Sequence, residues 1–267
     1  PKVMLPVAGK PIIGHILDDL TPLGADEIRL VVGYMGDVVE SYVREAFPDL
    51  PIRMVWQKER LGLGHAVLHA LDEGDTDPGL VVLGDTVFDV DYSAVVGSED
   101  PVLGVRRVPD PERFGIVELD EDGARVAKLV EKPAEPKSDL ALVGLYFVRN
   151  GDALRLAIQR LVDEDRRTRG EYQLTDALQA MIDAGARFVP FEIGDWYDCG
   201  KPETLLETNR HLLEAGRGGV AESATVSGEL IQPVRIEEGV EVRGGRVGPN
   251  VTVGRGSKII DSVLRDV

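Results

Sequence analysis

Cysteine is almost absent: Cys199 is the only one in 267 residues. No intrachain disulfide can form, so a reducing cytoplasm is the expected setting. Long apolar runs are missing too. None reaches the ~20 residues of a membrane span, and no signal-peptide pattern opens the sequence, so no membrane association is expected. Basic residues are outnumbered. The formal net charge of −17 excludes a nucleic-acid polymer as partner, because a phosphate backbone requires a basic surface. It leaves small anionic ligands open, since these respond to local lysines and bound metal rather than to the global sum. A starting methionine is lacking as well. The first residue is Pro1, so a preceding segment is expected.

What is present is a chain of 43% hydrophobic residues, enough for an α/β core and an appended module. Strands are predicted at Ile28–Gly33, Ile52–Gln57 and Leu80–Leu83, with helices at Val38–Phe47 and Leu63–Leu71 between them. This alternation implies parallel βαβ units covered on both faces, with Leu80–Leu83 central. In such sheets ligands bind beyond the carboxyl ends of the strands, where Gly33, Gln57 and Asp85 fall. Four further strands, 102–107, 115–119, 125–130 and 142–148, read as an antiparallel extension. The turn Asp120-Glu121-Asp122-Gly123 joins two of them. Helices follow at 153–163, 173–184 and 203–214, with a strand at 187–193.

Beyond Arg217 the helical period stops and apolar residues recur every six positions. Val234 goes with Val240, Ile236 with Val242, and Val247 with Val253 and Ile259. A six-residue repeat rich in Val, Ile and Gly predicts a β-helix of three short faces per coil, roughly two and a half coils over this stretch. The boundary is placed between a domain of residues 1–217 and a repeat domain of 218–267, and further coils are expected after Val267.

Several residues carry candidate chemistry. Asp85, at the end of an apolar strand in Gly84-Asp85-Thr86, is a hard oxygen donor suited to Mg²⁺. Gln57 opens QKERLGLGHA and offers both a donor and an acceptor to the edge of a base, while the glycines let backbone approach a flat ring. Lys132, between Glu131 and Pro133, has its direction fixed by the stiff residue that follows. His65 and His69 are four apart on one helical face, but no third ligand is near, and a packed or hydrogen-bonded role is expected.

Taken in order, PKVMLPVAGKPII at Pro1, QKERLGLGHA at Gln57, LGDTVF at Leu83, FGIVELD at Phe114 and VEKP at Val130 resemble the sugar-1-phosphate nucleotidyltransferases. ALVGLYF at Ala141, RGEYQLTDAL at Arg169 and WYDCGKPETLLETNR at Trp196 extend the likeness over nearly the whole chain. It is strongest to long-form glucose-1-phosphate thymidylyltransferases. The resemblance implies a Rossmann-like mixed sheet followed by the start of a left-handed parallel β-helix. It also implies that a glycine-rich GxGTRL loop should precede Pro1.

The resemblance further implies roles. Lys2 would neutralise the nucleotide phosphates, and Asp85 with Asp198 would hold Mg²⁺. Gln57 and the backbone at Gly62 would read a pyrimidine. Lys132 would grip the sugar phosphate, with Gly115, Glu131, Val143 and Trp196 around the sugar. The expected substrates are a pyrimidine nucleoside triphosphate, dTTP before UTP, and a hexose-1-phosphate, in a cytoplasmic homo-oligomer. A uridylyltransferase making UDP-glucose and a non-catalytic subunit that senses nucleotide sugars are the alternatives. Acyl transfer, common among hexapeptide β-helices, usually needs a histidine base, and no histidine follows His211.

Overall fold

The structure, a computed structural model, describes residues 1–199 and 202–267, without the side chains of Asp198, Pro202 and Glu203. The chain forms two compact units, one of residues 1–19, 84–88 and 196–267, the other of residues 20–83 and 89–195. In chain order the elements begin with β1 (Pro6–Val7), β2 (Lys10–Pro11), α1 (Ile12–Leu20), β3 (Ile28–Val32), α2 (Gly36–Ala46) and β4 (Ile52–Trp56). Next come α3 (Leu63–Ala70), β5 (Gly79–Val82), β6 (Thr86–Asp89), α4 (Tyr92–Val96), β7 (Val102–Arg107) and β8 (Gly115–Leu119). Then follow β9 (Val126–Glu131), β10 (Leu140–Val148), α5 (Gly151–Asp163), α6 (Leu174–Asp183), β11 (Val189–Glu192), β12 (Asp195–Asp198) and α7 (Pro202–Leu212). The fold is α/β with a mixed sheet, as the sequence predicts.

In the unit of residues 20–83 and 89–195, the sheet runs β11-β7-β10-β8-β9, with β5 also paired to β10. β10 reads Leu-Ala-Leu-Val-Gly-Leu-Tyr-Phe-Val, and every residue of it is buried. A strand covered on both faces needs such a continuous apolar run rather than alternation. β8 and β9 form the predicted hairpin. Gly123 turns at φ +70°, its N–H donates to the carbonyl of Asp120, and the Asp120 carboxylate accepts from the N–H groups of Ala124 and Arg125. α5 starts where the Asn150 side chain accepts from the Ala153 N–H at 2.8 Å, and it buries Leu154, Ile158 and Leu161. These three join Leu103, Tyr146, Leu174, Leu178 and Phe188 in the core.

β3 and β4 are parallel, as predicted, and form a two-stranded sheet of their own. β5 departs from expectation. Among the described residues its only strand partner is β10, to which it runs antiparallel, and it is half-buried along its length, as an edge strand is rather than a central one.

In the other unit, α1 buries Ile12, Ile13, Ile16 and Leu17 together with His15. The His15 Nε2–H donates to the carbonyl of Val7 at 2.8 Å, and its Nδ1 accepts from Arg217, whose guanidinium also pairs with Asp19. Burial holds the His15 pKa below its usual value, and the positive charges of Arg217 and Lys10 lower it further. Asn209 on α7 accepts from the Ala8 N–H at 2.9 Å and from the Thr252 hydroxyl at 2.6 Å.

After α7, three parallel three-stranded sheets stand in step. Gly219–Val220, Val234–Ile236 and Val251–Val253 form one, Thr225–Val226, Glu241–Arg243 and Lys258–Ile260 the second, and Glu229–Leu230, Arg246–Val247 and Val263–Leu264 the third. This is consistent with the start of a β-helix. Val234, Ile236, Val240, Val242, Val247, Val251 and Val253 fill its interior. Gly219 lies beside Arg235 and Val234 beside Val251, steps of 16 and 17 residues rather than three full hexads. Glycines at positive φ turn a tight corner at Gly244-Gly245. At Gly245, φ is +69° and an added Cβ would stand 2.1 Å from the Ser262 carbonyl oxygen.

Phe188 is fully buried, so Phe188→Ala is expected to remove about 3–5 kcal/mol of stability through a cavity in the core. A urea titration checks this by a lower midpoint. For His15, the depressed folded pKa means that its contribution is present above about pH 6.5 and is lost as pH falls. Between pH 7 and 5 the wild type should therefore lose stability that a His15→Gln variant does not, as measured by parallel denaturant titrations.

Candidate functional site

The unit containing residues 1–19 and 84–88 gathers the acidic candidates. Lys2 lies in a short helical turn over Lys2–Met4, and its ammonium donates to Asp85 Oδ2 at 3.0 Å, both side chains being about two-fifths exposed. β6 follows Asp85 at once and pairs with β12, which carries Trp196 and ends at Asp198. The Cys199 N–H donates to the Asp85 carbonyl at 3.0 Å, so the backbones around positions 85 and 198 run side by side. The side chain of Asp198 lies outside the described residues. The Asp85 carboxylate presents hard oxygens to a cation, and in this structure the Lys2 ammonium takes one of them. Among the described residues no group of three or more His, Cys, Asp or Glu side chains is arranged for a metal. Trp196 is half-buried in β12.

The other unit gathers the remaining candidates in two places. At the first, Gln57 continues β4, its N–H donating to the Val32 carbonyl. Its side-chain Nε2 lies 3.3 Å from the Gly62 carbonyl oxygen and 3.1 Å from His65 Nδ1. Gly62 has φ +113°, and an added Cβ would come within 2.7 Å of the Tyr172 carbonyl oxygen, so only glycine fits. Backbone bonds Tyr172 N–H to Leu61 C=O and Gly64 N–H to Tyr172 C=O fasten the same loop. The His65 pKa is lowered, first by burial and then by His69, whose ring centroid is 4.5 Å away. The two rings pack edge-on.

At the second place, β9 ends at Glu131 beside Gly115, the first residue of β8. Glu131 is nearly buried. It accepts from the Thr175 hydroxyl at 2.6 Å and faces the Lys132 ammonium at 3.4 Å. Gly115 is crowded by both partners, an added Cβ meeting Thr175 Oγ1 at 2.9 Å and Glu131 Oε2 at 3.1 Å. Burial, and then the Glu131 charge, raise the pKa of the neighbouring Tyr146 phenol. Lys132 adopts φ +42° ahead of Pro133, and Arg169 donates to its carbonyl at 2.8 Å. An open cleft of about 560 Å³ is lined by Lys132, Arg169, Arg113, Glu112, Pro133 and Ala134. Three cations lining one cleft suit a phosphate group. Val143 is 3% exposed and sits where the β7–β10 ladder skips from Leu142 to Tyr146.

Sequence reasoning assigned nothing to Arg169, Arg113 or Thr175. The first and last stand in the RGEYQLTDAL segment, and the signal available was an arginine before Gly170, with φ +56° at Arg169 itself.

A model of the family "Nucleotidyl transferase" matches residues 1–215. Glucose-1-phosphate thymidylyltransferase of Streptomyces griseus is 36% identical over 271 residues, 98% of this chain and 74% of that protein. The protein of the same name from Streptomyces antibioticus is 34% identical over 282 residues, with the same coverage of 98% and 74%. A crystal structure of UDP-glucose pyrophosphorylase complexed with UDP-glucose superposes with a TM-score of 0.67 at 24% identity, over 80% of this chain and 91% of that one, and so shares the fold. Matched by that family over most of its length, and by relatives of more than one-third identity over nearly all of it, this chain belongs to the nucleotidyl transferase family.

Proposed function

We propose that this chain transfers a nucleotidyl group from a pyrimidine nucleoside triphosphate to a hexose-1-phosphate, giving a nucleotide sugar and pyrophosphate. dTTP and glucose-1-phosphate are the favoured pair, with UTP next, in line with the two streptomycete relatives. The observation that carries the reading is Lys132. Its ammonium lines a cleft with two arginines and lies 3.4 Å from a nearly buried Glu131 able to accept from sugar hydroxyls.

The reaction is an in-line attack by a phosphate oxygen of the sugar phosphate on the α-phosphorus. A phosphate monoester is already ionised near neutral pH, so no general base is needed. The obstacle is repulsion between anions: unit charges ~4 Å apart repel by about 4 kcal/mol at an effective dielectric of 20, and these groups carry more than one charge each. Lys132 and Arg169 offset it at the sugar phosphate, and Lys2 does so at the nucleotide. Gln57 and the Gly62 backbone meet the pyrimidine, while Gly115, Val143 and Trp196 border the sugar. Mg²⁺, held by Asp85 and Asp198, would supply further neutralisation of phosphate charge when bound.

In the same reading the catalytic domain spans 1–217, and the repeats of 218–267 form a left-handed β-helix that serves subunit contact in a cytoplasmic homo-oligomer. No helix among the described residues is long and apolar enough to cross a membrane.

Asp85→Asn is expected to lower turnover by at least ~100-fold with the fold retained; wild-type pyrophosphate release from the folded variant would refute the metal assignment. Lys132→Ala should raise the KM for glucose-1-phosphate by roughly 10-fold or more, the scale of a lost charge-assisted hydrogen bond. An unchanged KM in steady-state assays would remove Lys132 from the sugar-phosphate site. A pyrophosphate-release panel of dTTP, UTP, CTP, GTP and ATP against glucose-1-phosphate and its amino and manno analogues tests the substrate assignment. Equal rates with purine triphosphates would overturn the pyrimidine reading.

A further inference from the structure

The Gln57 amide is held one way round by two neighbours, the Gly62 carbonyl and the His65 ring. The Gly62 carbonyl can only accept, so the amide edge 3.3 Å from it must be the NH₂ group. The other hydrogen of that group then points to His65 Nδ1 at 3.1 Å. That ring nitrogen must carry the lone pair, which puts the His65 proton on Nε2. Both amide hydrogens are thereby used within the protein. Among the described residues Gln57 Oε1 has no hydrogen-bond partner, and it is the part of the amide left for a ligand.

The His65 ring is fixed in turn. It sits in the first turn of α3, edge-on to His69 with ring centroids 4.5 Å apart, and 6.4 Å from the Tyr172 ring. The loop that presents Gln57 to it is pinned by Gly62 and Gly64 against the Tyr172 backbone, where neither glycine has room for a Cβ.

We propose that His65 is a positioning residue for base selection: by accepting from Gln57 it keeps the amide carbonyl toward the base. This favours a pyrimidine with an N3–H donor, uracil or thymine, over cytosine, whose N3 is an acceptor and would meet the carbonyl oxygen lone pair to lone pair. The inference rests on the reading of Gln57 as the base-contacting residue. It differs from that reading in assigning the direction of the amide to a second side chain that itself touches no substrate.

The test is steady-state kinetics with UTP, dTTP and CTP at saturating glucose-1-phosphate, on the full chain. Four variants are compared with wild type. His65→Asn places an oxygen acceptor where Nδ1 stands. His65→Gln keeps a polar side chain but moves its acceptor one bond outward. His65→Leu removes the acceptor altogether, and Gln57→Leu removes the reader. His65→Gln and His65→Leu are expected to raise the KM for UTP and dTTP roughly fivefold, the scale of one hydrogen bond. Their kcat and their KM for CTP should stay within about twofold of wild type, while His65→Asn restores wild-type discrimination.

Identical behaviour of the Asn and Gln variants, or equal factors for UTP and CTP, would overturn the positioning role, since a merely structural histidine gives those results. The base reading fails separately. If Gln57→Leu leaves the UTP-to-CTP preference of the wild type unchanged, Gln57 does not contact the base and the proposal falls with it. If Gln57→Leu abolishes that preference while His65→Gln and His65→Leu keep it, only His65 loses its assignment.

Discussion

The pairing of β10 constrains the unit around it more than any other interaction. Its residues pair antiparallel with β5 and β7, and Ala141 meets Ile116 of β8. Every position of the strand is buried, so its polar backbone must be satisfied by neighbouring strands. Where the ladder with β7 skips Val143–Leu145, Gly144 turns to φ +91° and its carbonyl accepts from Leu83 N–H. β8 is held by β10, β9 by β8, and the end of β9 presents Glu131 and Lys132. The position of the ammonium in its cleft therefore traces back, strand by strand, to a run of apolar residues with no chemistry of its own.

Local fields rather than overall charge decide what such a protein attracts. The chain is strongly acidic, yet Lys132, Arg113 and Arg169 share one cleft. Much of the acidity elsewhere is spent in exposed ion pairs such as Arg44 with Glu40 and Arg160 with Glu164, one helical turn apart and of small energetic value. Glu131 differs in being nearly buried, where its charge is held by a hydroxyl and a neighbouring ammonium and interacts more strongly than it would in water.

Much of the stretch from β3 to β11, though not β6 or α4, was legible because its signals are strong. Apolar runs of four to nine residues are separated by glycine, proline and Asp-rich turns, and α5 and α6 show a clear helical period. α1 escaped because Gly14 lowers the local preference for a helix over Ile12–Leu20, and burial of four large apolar residues overrides that preference. The β6–β12 pair escaped for another reason: two four-residue strands more than a hundred positions apart leave no local trace of their pairing. At the site, Gln57, Gly62, Glu131 and Lys132 stand in recognisable segments. The bonds from Arg169 to the Lys132 carbonyl and from Thr175 to Glu131 span 37 and 44 positions, and only folding brings them together. The parallel repeats after α7 were read from their period, but the length of each step was not. Val242 and Val247, both fully buried, stand five apart across Gly244-Gly245 instead of six, because two residues at positive φ turn a tighter corner.

Those stepped parallel sheets have a mechanical consequence. Each coil pairs its strands only with the coil above and the coil below, with α7 adding side-chain bonds such as Thr252 to Asn209, so its stability is close to a sum of nearest-neighbour terms. An error in one coil stays close to home, and length can be added or removed without redesigning the whole. The β10-centred sheet lacks that freedom, since one strand there answers to three others. Within a single chain, one segment is built to tolerate change in number and the other to resist change in place.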